Sequence, residues 1–333
     1  MPGFGSTDGV LTAADGLTDG VLVVAAGGLI DGVLVVAEVD GSIDGKSLTG
    51  CICVSEEDYP SLRILPSALA EGQGDPPFVA IVRNREELCR WLRDPLPGLK
   101  WLQVEGMLGD SDAWTEAAHS VSDVSLDIVL SDPSSQFSEL YKLVDVSGVH
   151  DCRVTILARP GLLKAVKLAA ALSFPVRVLP GQPTAEVLAE LKEVLDFYLH
   201  APTVEAPVEF FHSLLAIAYG ADAGSLWMIL EEDPAAFLQY DINGQARLPR
   251  SNSFEFVEIS PAEFVENHLK SLVEQGAECA TCPWQLSCRG YFKWPDPAYS
   301  CEGVKELFSI IQAAADEIGR DLASCALVTA NPT

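Results

Sequence analysis

Four of the nine cysteines fall within 23 residues, as Cys279-Ala-Thr-Cys282-Pro-Trp-Gln-Leu-Ser-Cys288 followed by Cys301. The spacing is C-x2-C-x5-C-x12-C. Thiolates this dense repel one another and oxidise readily, so a chain kept in a reducing compartment holds such a cluster for a soft metal. A C-x2-C step brings two sulfurs to one centre from a single tight turn, and the later pair completes a four-sulfur shell. The spacing therefore predicts a metal centre on Cys279, Cys282, Cys288 and Cys301, with an iron–sulfur cluster as the group. Zinc is the alternative. Four-cysteine zinc sites commonly pair two C-x2-C knuckles, and here the second half is C-x12-C.

The remaining chemistry-bearing residues form no comparable pattern. His119, His150, His200, His212 and His268 show neither H-x3-H nor H-E-x-x-H spacing, and no G-x-S-x-G elbow occurs. His212 reads as a satisfied core or rim histidine, and Glu231-Glu232-Asp233 as a solvated face at a helix end. Cys51, Cys53, Cys89 and Cys152 read as small buried hydrophobes. Tyr291, Phe292, Trp294 and Trp284 read either as ordinary aromatic packing of a small module or as a screen of a metal centre from water. Arg289 and Lys293 are placed to offset its negative charge.

Composition narrows the class. Hydrophobic residues make up 48% and charged residues 21%, the balance of a globular protein, and 333 residues suffice for a large core. A formal net charge of -27 repels a phosphate backbone, and no Arg/Lys stripe overrides it, so nucleic acid is not expected as a partner. The opening Met1-Pro2-Gly3-Phe4 lacks a basic secretory region, and the apolar run Val21–Ile30 is too short for a membrane span. The expectation is a cytoplasmic protein without disulfides.

The positioning elements are read from periodicity. Segment 1–55 repeats Asp-Gly-Val-Leu, at Asp8, Asp19 and Asp31, and reads as short turn-and-strand units. A phosphate loop is the sharper alternative there, but the P-loop lysine and the G-x-G-x-x-G spacing are missing. Segment 56–235 alternates β-rich runs (Phe78–Val82, Leu99–Val104, Leu126–Leu130, Val154–Ala158, Val176–Leu179) with helical patterns. The helices are Asn84–Arg93, Ser134–Val144, Gly161–Leu172, one from Pro183 to about His200, and Glu205–Tyr219. That alternation predicts an α/β fold of parallel βαβ units, a partial (β/α) barrel-like domain. Segment 236–333 contains a hairpin turning at Asp241-Ile-Asn243-Gly244 and a helix Pro261–Val273 opened by a Ser260…Glu263 capping box. The cysteines follow, then a last helix from Val304 to about Ala323.

Asp241-Ile-Asn-Gly-Gln-Ala-Arg-Leu-Pro, a helix, then Cys279-x2-Cys282-Pro-Trp-x3-Cys288-Arg-Gly-Tyr-Phe and Cys301 resemble the SPASM/twitch extension of radical SAM peptide-modifying enzymes. The likeness is specific over about 237–308 and only architectural over 60–236. It implies a partial barrel carrying a C-terminal module for auxiliary [4Fe–4S] clusters. The outer-cluster cysteines have counterparts in Cys279, Cys282, Cys288 and Cys301. The inner cluster needs cysteines where this chain has Phe292 and Pro249 or Arg250. The C-x3-C-x2-C loop that binds S-adenosylmethionine is missing, and Cys51-Ile-Cys53 is a lone pair. The resemblance thus implies one [4Fe–4S] cluster and no S-adenosylmethionine cleavage by this chain alone. Its role would be electron transfer or substrate binding beside a separate enzyme or a peptide substrate. A peptide-modifying enzyme with a non-standard site is the alternative, as is a structural zinc protein.

Overall fold

A computed structural model describes residues 62–71, 77–221, 224–250 and 260–329. The Asp-Gly-Val-Leu repeats, Cys51 and Cys53 lie outside them. The chain is a mixed α/β protein built on one mostly parallel sheet. Its strands are β1 (Leu62–Pro66), β2 (Phe78–Val82), β3 (Leu99–Glu105), β4 (Ser125–Leu130), β5 (Cys152–Leu157), β6 (Val176–Leu179), β7 (Val208–Glu209), β8 (Phe237–Tyr240) and β9 (Ala246–Arg247). Across the sheet they run β7, β6, β5, β4, β3, β2, β1, β8, β9. All neighbours are parallel except the β8–β9 hairpin. β1 sits between β2 and β8, with Leu62 opposite Phe237.

The two faces of the sheet differ because side chains alternate along each strand. One face carries Phe78, Ala80, Leu102, Val104, Leu126, Ile128, Val154, Ile156, Val176 and Val178 into the large core beneath the helices. Those helices start where the sequence places capping residues. Asn84 accepts the Glu87 amide at 2.9 Å, and helix Arg85–Arg93 turns Leu88, Trp91 and Leu92 inward. Thr184 accepts the Val187 amide at 3.3 Å and opens Ala185–His200. The other face begins as a small apolar cluster, Leu62, Ile64, Val79, Ile81, Trp101 and Phe237. On β4–β6 the same face becomes polar, with Asp127, Arg153, Thr155 and Arg177.

Several expectations change. The predicted helix Glu205–Tyr219 is a strand followed by a helix: Val208 pairs with Val176 at the sheet edge, and only Phe211–Ala218 is helical. An open strand edge here outweighs helical periodicity. The predicted helix Ser134–Val144 is instead three short pieces, Pro133–Gln136, a 3₁₀ stretch Phe137–Leu143, and Val144–Ser147. Ser260 makes no side-chain cap, because Pro261 opens a 3₁₀ turn in which the Ser260 carbonyl accepts the Glu263 amide at 2.9 Å. Strand β1 and helix Ser111–Ala118 were not expected. The last helix runs Glu302–Thr329. Among the described residues no helix is long and apolar enough to cross a membrane.

Candidate metal centre

The four predicted ligands come from single turns rather than long elements. Cys279 lies in the 3₁₀ turn Glu278–Thr281, Cys282 follows it, Cys288 ends the one-turn helix Gln285–Cys288, and Cys301 precedes helix Glu302–Thr329. The structure brings all four to the lining of one cavity, with Trp284, Phe292, Lys293 and Phe308. The turn is closed by the Cys279 carbonyl, which accepts the Cys282 amide at 3.3 Å and Gln285 Nε2 at 3.0 Å. After Cys288 the chain reverses through two left-handed residues, Arg289 (φ 47°) and Gly290 (φ 76°). A Cβ on residue 290 would sit 2.8 Å from Leu272 Cδ1 and 3.2 Å from His268 Cδ2, so glycine serves both conformation and space.

Burial pushes the Cys288 thiol up to about 11 and Cys301 up to about 12. It also raises Cys279, against the pull of Lys293. Without a metal these thiols hold their protons, so a metal that binds must displace them. Two lysines stand by. Lys293 lies 2.9 Å from Glu278 Oε1, and Lys305 lies 2.5 Å from Glu278 Oε2. The Lys305 hydrogen bond, against partial burial and with Lys293 and the Cys301 amide assisting, holds the Glu278 carboxyl down to about 2. Lys293 thus stands where the sequence expects a charge offset. Arg289 does not, since it pairs outward with Glu266. Trp284, stacked 5.5 Å from Phe308, and Phe292 shield the cavity. Tyr291 and Trp294 pack elsewhere, against Trp227 and Phe264.

The donor set is four thiols, as a four-iron cluster or a zinc ion requires. Among the described residues, no group of three or more Cys, His, Asp or Glu side chains is gathered closely enough to hold a single metal ion. Cys152 is buried in β5, and Cys89 donates to Glu116 Oε2 at 2.8 Å, with burial first among the causes raising it to about 11. Both stand apart from the centre. The histidines have ordinary partners: His212 Nδ1 meets Tyr198 Oη at 2.7 Å, and His150 Nδ1 meets the Val124 carbonyl at 2.9 Å.

Sequence reasoning missed the residues that dock this segment on the sheet. Gln182, in the loop after β6, donates to the carbonyls of Phe292 (2.9 Å) and Asp296 (2.7 Å), and Tyr299 Oη donates to the Pro183 carbonyl at 2.7 Å. The family of contacts crosses more than a hundred residues of chain, which no local pattern reveals.

A second feature was also missed. A cavity of about 660 Å³ opens at the C-terminal ends of the strands, with Arg83, Gln103, Glu105, Arg177, Glu232 and Arg250 among its lining. Its floor corrects the reading of Glu231 as a solvated residue. Glu231 takes a left-handed backbone (φ 58°) and turns inward, placing Oε1 2.6 Å from Arg153. Its other oxygen pairs with Arg177. Asp127, fully buried, accepts from Arg153 at 2.7 Å, Arg177 at 2.6 Å and Thr155 Oγ1 at 2.5 Å. Burial alone would raise both carboxyls, yet the two guanidiniums outweigh it and hold both below the usual carboxylate range. The network is two anions and two cations, neutral in sum. No protein-family model, curated protein or solved structure matches this chain.

Proposed function

We propose that this chain is an iron–sulfur protein holding one auxiliary [4Fe–4S] cluster on Cys279, Cys282, Cys288 and Cys301. It serves as an electron-transfer or substrate-binding partner of a separate enzyme or peptide, and it does not cleave S-adenosylmethionine itself. The observation that carries this reading is that all four thiols line one cavity. A tetrahedral zinc holds its sulfurs about 2.3 Å from one ion. A cubane takes each of four thiolates on a different iron, and the cavity's lining supplies that number. When bound, such a group supplies one-electron transfer. The chain's own residues then set its potential, through the buried Lys293 and the aromatic wall.

The hairpin, helix and cysteine order supports the likeness to a SPASM/twitch module, and the consecutive parallel strands suit a partial barrel that stays open at β7 and β9. The positions where a second cluster would need ligands are otherwise engaged. Phe292 is 1% exposed and packs 5.2 Å from Tyr291, while Arg250 pairs with Glu232. This packing supports the reading of one cluster rather than two.

Anaerobic reconstitution followed by iron, sulfide and zinc analysis tests the proposal. The expected result is about four irons and matching sulfide per chain, with a brown protein. Stoichiometric zinc with no sulfide would sink it. The reduced protein incubated alone with S-adenosylmethionine should form no 5′-deoxyadenosine above background.

A further inference from the structure

The segment 289–296, which begins the stretch from the third cysteine to the fourth, contains one 3₁₀ turn, Tyr291–Lys293, and little other regular structure. Side chains from outside hold its carbonyls. Trp227 Nε1 donates to Arg289 O at 3.1 Å, and His268 Nε2 lies 3.1 Å from Gly290 O. Gln182 takes Phe292 O and Asp296 O. Arg250 takes two more: Nη1 donates to Trp294 O at 2.9 Å and Nη2 to Tyr291 O at 3.2 Å. Trp227 and Gln182 are neutral, and burial holds His268 toward its neutral form. Arg250 is charged, and hydrogen bonds from a charged donor are roughly twice as strong as neutral ones.

The Arg250 guanidinium is itself fixed on three sides. It lies 4.1 Å from the Tyr291 ring centroid and 5.3 Å from that of Trp227, and its Nε lies 3.2 Å from Glu232 Oε2. Its backbone is left-handed (φ 58°), and it lines the strand-end cavity, whereas the cysteines line another. A rigid planar fork bridges carbonyls three residues apart, where an ammonium offers a single point charge.

We propose that Arg250 is the positioning residue of the cysteine centre, clasping the limb between Cys288 and Cys301 from the cavity side. This rests on the reading that the four cysteines hold a metal, though not on which metal. Groups that hydrogen-bond the ligands themselves typically change metal affinity about 10–100-fold when removed, and the same range is expected for Arg250, which fixes the chain between two ligands.

The test compares wild type, Arg250→Gln, Arg250→Lys and Arg83→Gln after anaerobic reconstitution. The readouts are the rate of metal loss to a chelator and the g-values of the reduced centre. Arg250→Gln should lose metal about 10–100-fold faster than wild type and shift the g-values, with Arg250→Lys between. Arg83 lines the same cavity but pairs with Glu105 instead, so Arg83→Gln should match wild type. If Arg250→Gln does not fold, Arg250→Lys, which keeps a cation beside Glu232, carries the comparison. Wild-type rates and g-values in the Arg250 variants would overturn the proposal alone. Zinc in the wild type, lost faster from the variants, would uphold the positioning role and overturn the iron–sulfur reading. A wild type that holds neither metal would overturn both.

Discussion

Replacing Cys282 by alanine is expected to take the reconstituted protein from about four irons per chain to almost none, while the sheet stays folded. On the proposed assignment, three thiolates leave one iron without its protein ligand, and the turn from Cys279 to Cys282 keeps only its hydrogen-bonded closure. Between helix Phe264–Glu274 and Cys301 the chain has only single turns, Glu278–Thr281, Gln285–Cys288 and Tyr291–Lys293. Such a segment leans on its metal for order. The loosening should be uneven. Tyr291 and Phe292 belong to the large core and stay anchored, so limited proteolysis should cut preferentially between about 277 and 288. Cys89→Ala should keep its iron, because Cys89 faces Glu116 across the helices. Equal iron loss from Cys89→Ala would refute the ligand assignment.

The second large effect lies at Asp127. Asp127→Ala leaves Arg153 and Arg177 facing one carboxylate instead of two, beside a position that is itself fully buried. Removing one partner of a buried ion network costs roughly 3–5 kcal/mol, and that loss should appear in the urea midpoint at pH 7. The pH dependence follows from the directions already given. Asp127 and Glu231 are held below their unfolded values, so their contribution is complete above the ordinary carboxylate range. It is lost as the pH falls through the folded values, below about pH 5. Wild-type stability from this source should be flat near neutrality and decline in acid, and Asp127→Asn should show a shallower acid decline. A urea midpoint for Asp127→Ala equal to wild type would show that the network contributes little.

That the four cysteines come together at one cavity was legible because the signal is local: four cysteines within 23 residues announce themselves whatever surrounds them. The strands Phe78–Val82 and Val176–Leu179 were legible for the same reason, as short apolar runs between turn residues. Helix Ser111–Ala118 was not. It buries only Ala113, Trp114 and Ala117, too few large side chains to show a period. Glu231 was misread because its partners lie 78 and 54 residues earlier, on the far side of several elements. A glutamate after Leu230 looks solvated in sequence, and only the inward turn at its own left-handed backbone reveals otherwise. Gln182 carries no motif at all, and its importance comes wholly from what the fold places beside it.

The position of β1 between β2 and β8 has a kinetic meaning. Leu62 and Phe237 are opposite each other in the sheet but 175 residues apart in the chain, whereas Gln239 and Arg247 of the hairpin are eight apart. Loop-closure entropy makes the first pairing about 3 kcal/mol harder to nucleate than the second. Neighbours from β1 to β7 pair with the next strand along, so that side assembles from successive contacts, and the hairpin forms on its own account. The joining of β1 to β8 comes last, when a finished hairpin docks onto a waiting edge and Phe237 covers Leu62, Ile64 and Trp101. Until residue 237 has been synthesised, that apolar strip stays open, and a nascent chain stalled short of it carries the surface that invites aggregation. The cysteines follow still later in synthesis, so the cavity they line is completed on a chain whose sheet is already closing.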